Sequence, residues 1–125
     1  MYRCVLPLVL ATSCLVAHAQ QHRFFPANTL RGELVVTQFP EVLLNGKAAR
    51  LAPGSRVKND NNLWVPPSSL TGQKLIVHYT VEGSGLLMDV WVLNPVELAN
   101  KTWPRTPQEA ATWQFNAGNQ TWIKQ

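Results

Sequence analysis

Cysteine is the first scarcity. The chain of 125 residues carries two, Cys4 and Cys14, and everything after position 14 is free of thiol. That excludes a disulfide framework and a thiolate metal centre from the rest of the chain. Small eukaryotic secreted domains lean on disulfides, so a cysteine-free exported domain suits a bacterial periplasm better. Long apolar runs are scarce too. After residue 19 none approaches the roughly 20 residues that cross a bilayer, so no membrane span is expected in the mature chain. Charge is thin and mixed: without Arg3, ten basic residues face seven acidic ones, a net +3. No like-signed run occurs, and a nucleic-acid partner, which needs a concentrated basic face, is not expected.

Catalytic signatures are missing as well. The seven carboxylates are scattered, with no pair spaced to flank a sugar ring. There is no H-E-x-x-H helix, no glycine loop for phosphate and no calcium loop, since Asp60-Asn61-Asn62 lacks the alternating acids. No cofactor is implied.

What is present begins with an export signal. Arg3 supplies a positive start, VLPLVLATSCLV an apolar run, and Ala17-His18-Ala19 the small-x-small pattern of a signal peptidase site. Residues 1–19 are therefore read as a signal peptide and 20–29 as a flexible lead-in. A lipoprotein route through Cys14 fits less well, because Ala11 stands where a larger aliphatic is usual.

Residues 30–94 are patterned as strands. Asn45-Gly46 is a two-residue hairpin turn, since both residues tolerate positive φ. Ala52-Pro53-Gly54-Ser55 reads as a second turn, separating KAARL from a short strand RVKN. In QKLIVHYTVEGSGLLMDVWVLN, a tight turn at Gly83-Ser84 would pair Tyr79 with Met88 and Val77 with Val90. The opposite face would then pair His78 with Asp89 and Ile76 with Trp91. Residues 95–125 switch grammar. Asn94-Pro95-Val96-Glu97 and Thr106-Pro107-Gln108-Glu109 are capping boxes with proline at the first helical position, so two short helices are expected. The fold class is mainly β: a small OB-like barrel or sandwich of about five strands, with a short helical and hairpin tail.

The runs LRGE, PEVLLNGKAARLAPGSR, LTGQ, HYT, WPRTPQEA and the final W-x-F-N-x-G-x-Q-T-W resemble a family of small exported proteobacterial proteins. The resemblance implies a periplasmic address and one domain, and no activity transfers with it. NGKAARLAPGSRV is also similar, over a short stretch, to the β modules of copper amine oxidase N-terminal type domains.

Three constellations carry candidate chemistry. Cleavage after Ala19 would expose Gln20, Gln21 and His22, whose amine, two amide nitrogens and imidazole form a square-planar set for Cu(II) or Ni(II). A copper- or nickel-binding role is therefore one alternative, provided the glutamine does not cyclise. A hydrolase built on a His78–Asp89 pair is a second, although no activated serine or thiol completes it. The third is a ligand surface formed by Trp91 with His78, Asp89 and Ile76, where an exposed ring would stack on a glycan or a partner protein. In WQFNAGNQTW, a turn at Ala117-Gly118 would bring Trp113 against Trp122 as a clamp for the fold. The expected role is that of a non-enzymatic binding or accessory module of the envelope, its partner an unknown envelope protein or glycan.

Overall fold

Apolar residues at alternate positions drive the first strand: Leu30, Leu34 and Val36 point one way and are buried. In the computed structural model, which describes residues 21–125, this strand is β1 (Leu30–Gln38). It is followed by β2 (Glu41–Leu44), β3 (Lys47–Lys58), a 3₁₀ turn at Pro67–Leu70, β4 (Lys74–Val81) and β5 (Leu87–Val92). The five strands close into a barrel in the order β1-β2-β3-β5-β4, with β3 and β5 parallel and the other neighbours antiparallel. This is the OB-like architecture that the strand pattern implied. Closure removes the open edges at which sheets aggregate. Among the described residues no helix is long and apolar enough to cross a membrane.

The turn chemistry is partly as read. Asn45 and Gly46 both take positive φ, 53° and 79°, and join β2 to β3. The expected turn at Ala52-Pro53-Gly54-Ser55 is instead a bend inside one long strand. There β3 slips from Leu51↔Leu87 to Arg56↔Asp89, with Gly54 at φ 79°. The first part of β3 pairs with β2 and its end with β5, so the irregularity is what carries the sheet round the corner.

The β4–β5 register also differs from expectation. The turn is longer than two residues: Glu82 N–H donates to Leu86 O, and Gly85, at φ 86°, donates to Glu82 O. A bulge after Tyr79 then sets Tyr79 against Val90, His78 against Trp91 and Val77 against Val92. The slip is by two residues, so Val77, Tyr79 and Val90 keep the inward face that alternation assigned them. His78 loses Asp89 as its neighbour.

Beyond β5, α1 (Pro95–Ala99) and α2 (Pro107–Thr112) start at the predicted boxes. In α1 the box is reciprocal: Asn94 Oδ1 accepts from Glu97 N–H, and Glu97 accepts from Asn94 N–H. In α2 Thr106 caps Glu109 N–H, while the Glu109 carboxylate reaches Arg105 N–H instead. A hairpin of β6 (Gln114–Asn116) and β7 (Thr121–Ile123) ends the chain. Its turn spans four residues, so Trp122 pairs with Phe115, their rings stacked at 4.6 Å, and not with Trp113.

Two apolar clusters result. One fills the barrel, around Leu34, Val36, Val42, Leu51, Val57, Val77 and Leu87. The other, Phe25, Leu93, Trp103 and Trp122, lies between barrel and tail. The tail rings therefore clamp the fold, with Trp103 at their centre and touching Phe25, Phe115 and Trp122 edge-on. Trp103→Ala should cost about 3–5 kcal/mol in urea unfolding, against under about 0.5 kcal/mol for the exposed Trp64→Ala. Equal losses would contradict this assignment of the second cluster.

Candidate functional site at the seam between barrel and tail

The antiparallel pairing of β1 with β4 sets Arg31 directly opposite His78, on the outer face of the barrel. The tail and the N-terminal segment cover that face, leaving Arg31 4% and His78 1% exposed. A buried guanidinium must place its N–H groups. Arg31 Nε donates to His78 Nε2 at 3.1 Å, Nη1 to Asn100 O at 2.7 Å and Nη2 to Glu97 O at 3.2 Å. Two of these acceptors are carbonyls at the end of α1, so Arg31 caps that terminus, pairing Asn100 O and adding a second bond to Glu97 O, which also accepts from Asn100 N–H.

The lead-in to β1, expected to be flexible, is tied down from Gln21 onward. Arg23 makes a forked ion pair with Glu97, at 2.9 Å through Nε and 2.6 Å through Nη2, and its backbone N–H joins the same carboxylate. It also donates to Asn59 O and Val92 O. Phe25 is bracketed by Gln120, which accepts from Phe25 N–H and donates to Phe25 O. Asn100 Nδ2 in turn donates to Gln120 O, joining the arginine and glutamine networks.

Between these parts lies a cavity of about 170 Å³. Its walls come from the N-terminal segment (His22, Arg23, Phe25), the barrel (Arg31, His78), and the tail from Val96 to Trp103 and at 119–121. Burial, together with the nearby Arg105, lowers Arg31 to a pKa of about 10, which leaves it charged at neutral pH. Burial and then the charges of Arg31 and Arg23 push His78 down to about 2. His78 is thus neutral. Because Nε2 accepts from Arg31, the ring proton sits on Nδ1, which has no acceptor among the described residues.

The candidate residues read from sequence are separated by this arrangement. Asp89 turns away from His78, pairing with Arg56 at 2.8 Å and with Thr80 at 3.3 Å. No His78–Asp89 couple forms, because the bulge in β4–β5 puts Trp91 opposite the histidine. Nor do Trp91 and Ile76 form an open platform with His78. Both are half-buried against the second cluster, with Phe25 edge-on to Trp91 at 5.2 Å. Of the amino-terminal set, Gln20 lies outside the described residues, as does the signal-like segment. Gln21 O accepts from Asn94 Nδ2, and His22 is exposed at the cavity wall beside Phe24. Arg31, Arg23, Glu97 and Gln120 were not read from sequence as site residues, Glu97 being named there only as a helix cap. The available signal was the tail itself: three tryptophans after residue 100 need a face to cover, and β1 and β4 provide one.

Comparison with protein-family models, with curated proteins and with solved structures finds no match to this chain.

The low pKa of His78 has a consequence for stability. Its folded value lies below the ordinary 6.5, so between about 2 and 6.5 the unfolded chain binds the proton and the folded protein does not. Stability should be full above pH 6.5 and fall as the pH drops, by up to about 1.4 kcal/mol per pH unit from this group. Urea unfolding between pH 7 and 5 reads the slope, and proton NMR should show a His78 ring that stays neutral to pH 4. A His78 signal titrating near pH 6.5 would refute the buried assignment.

Proposed function

We propose that the protein is a non-enzymatic binding or accessory module of the bacterial envelope that holds its ligand in the cavity at the barrel–tail seam. The observation that carries this is the cavity's construction. Charged and polar side chains from three separated parts of the chain converge on it, each held by hydrogen bonds before any ligand arrives. Preorganised polar groups beside aromatic walls are the usual make-up of a ligand site. The reaction machinery of a hydrolase has no comparable support, since His78 is buried and neutral and Asp89 is engaged by Arg56. The periplasmic address belongs to the same proposal. It is supported by the signal-like start, the cysteine-free remainder and the resemblance to small exported proteobacterial proteins.

Val96 tests the reading without touching the core: it lines the cavity yet is 41% exposed. Val96→Trp should occupy the cavity and abolish binding of soluble envelope fragments measured by calorimetry, with the unfolding midpoint little changed. Retained binding in this variant would place the ligand elsewhere.

A second reading, Cu(II) or Ni(II) held by Gln20, Gln21 and His22, is favoured by one observation: His22 is exposed, with the Phe24 ring edge-on to its own at 5.5 Å. Titration of protein processed after Ala19 should then give a visible band of a square-planar nitrogen site, lost in His22→Ala. An unchanged band in His22→Ala, or no band in the processed protein, would dispose of this second reading.

A further inference from the structure

We propose that the ligand of this cavity presents a carboxylate, which completes the hydrogen bonding of Arg31. The inference rests on the reading of the cavity as a ligand site and adds the chemistry of what enters it.

The charges around the cavity do not balance. Arg23, Arg31 and Glu97 all line it, two cations against one anion. Glu97 is already consumed. Its two oxygens accept from Arg23 N, Nε and Nη2 and from Asn94 N. That carboxylate therefore belongs to Arg23. Arg31 is left with three neutral acceptors, one on His78 and two backbone carbonyls. A guanidinium has five N–H groups in a planar fork, so these bonds leave part of the fork unspent.

Water offsets little of this charge and the neighbours only part of it, through the field of the Glu97 carboxylate and the Trp103 ring 5.8 Å from the guanidinium carbon. Arg31 is almost fully desolvated, and a charge taken out of water is costly unless an opposite charge joins it. His78 cannot help, being neutral. Arg105 lies near enough to make the local field more positive still. An anion entering the cavity would gain from every one of these features. A planar carboxylate suits the planar fork of a guanidinium, where two parallel N–H bonds form at once. The walls of Phe25 and Trp103 offer apolar surface for an organic body attached to that carboxylate. The ligand class is thus a compact organic acid or the C-terminal carboxylate of a short peptide.

Four probes separate the alternatives by calorimetry at low salt: benzoate, N-acetyl-Ala-Ala, the carboxamide of that peptide, and inorganic phosphate. At least one of the two acids should bind saturably. Benzoate alone indicates a free organic acid, and N-acetyl-Ala-Ala alone a peptide terminus. In the peptide case its carboxamide should bind about tenfold or more weakly. Asn119→Asp supplies the control. This exposed residue lines the cavity and accepts from Thr121 Oγ1 at 2.5 Å, a bond that aspartate keeps. The added charge should weaken acid binding by roughly threefold, while Asn119→Lys strengthens it.

Carboxamide binding equal to that of the acid, phosphate binding without the acids, no binding of any probe, or indifference to Asn119→Asp would each overturn the carboxylate assignment. These failures are distinct from failure of the cavity reading. If Val96→Trp abolishes the binding of neutral envelope fragments, the cavity stands as a site for an uncharged ligand. If Val96→Trp abolishes nothing, the cavity reading itself falls.

Discussion

One buried guanidinium and one partly buried one meet at a single seam with one carboxylate, and most of the architecture outside the barrel follows from that arrangement. Arg23 takes Glu97, and Glu97 is at once the capping residue that starts α1. Arg31 takes the carbonyls near the end of the same short helix. A helix of five residues has little stability of its own. Here it is held at one end by a capping box and at the other by an arginine from β1. Remove either cation and the groups it served stay largely buried with fewer partners, a larger penalty than the loss of the bond itself.

The barrel and the tail are thereby made interdependent. Trp103 anchors the tail by stacking over His78 at 4.2 Å and donating Nε1–H to Thr29 O at 2.9 Å. Gln120, in a left-handed conformation at φ 55°, reaches back to the backbone on both sides of Phe25 like an extra strand. The N-terminal segment, the outer barrel face and the C-terminal hairpin meet there. The cavity is the space these three parts leave, which explains why its lining is polar and aromatic together. Chemistry gathers at a joint between elements, where side chains from distant positions converge, more readily than on the closed wall of the barrel.

A good part of this was legible in the residues. Alternation in β4, the Asn45-Gly46 turn and both prolines at helix starts each act through a few adjacent positions, and all three readings match the structure. The readings that changed involve partners far apart. Asn119-Gln120-Thr121-Trp122 looks like half of a tight hairpin, yet the longer turn gives Trp122 to Phe115 and leaves Trp113 under Lys124. His78 and Asp89 are plausible neighbours in an ideal hairpin and become strangers once a bulge enters. The Pro53-Gly54 pair reads as a chain reversal, and closure of the barrel uses it as a bend.

Local rules therefore determined that residues 30–94 would be mainly strand, where both helices start, that Asn45-Gly46 would turn, and which face of β4 would be apolar. Those properties depend on sterics and periodicity within a few residues, which any reader of the chain can inspect. The tertiary structure decided the register of β4 against β5, the pairing of Arg23 with Glu97 across 74 positions, and the burial of Arg31 beneath the tail. The reason is physical: barrel closure shifts strands by whole residues to satisfy curvature, and a buried charge selects its partners from whatever the closed fold brings within reach.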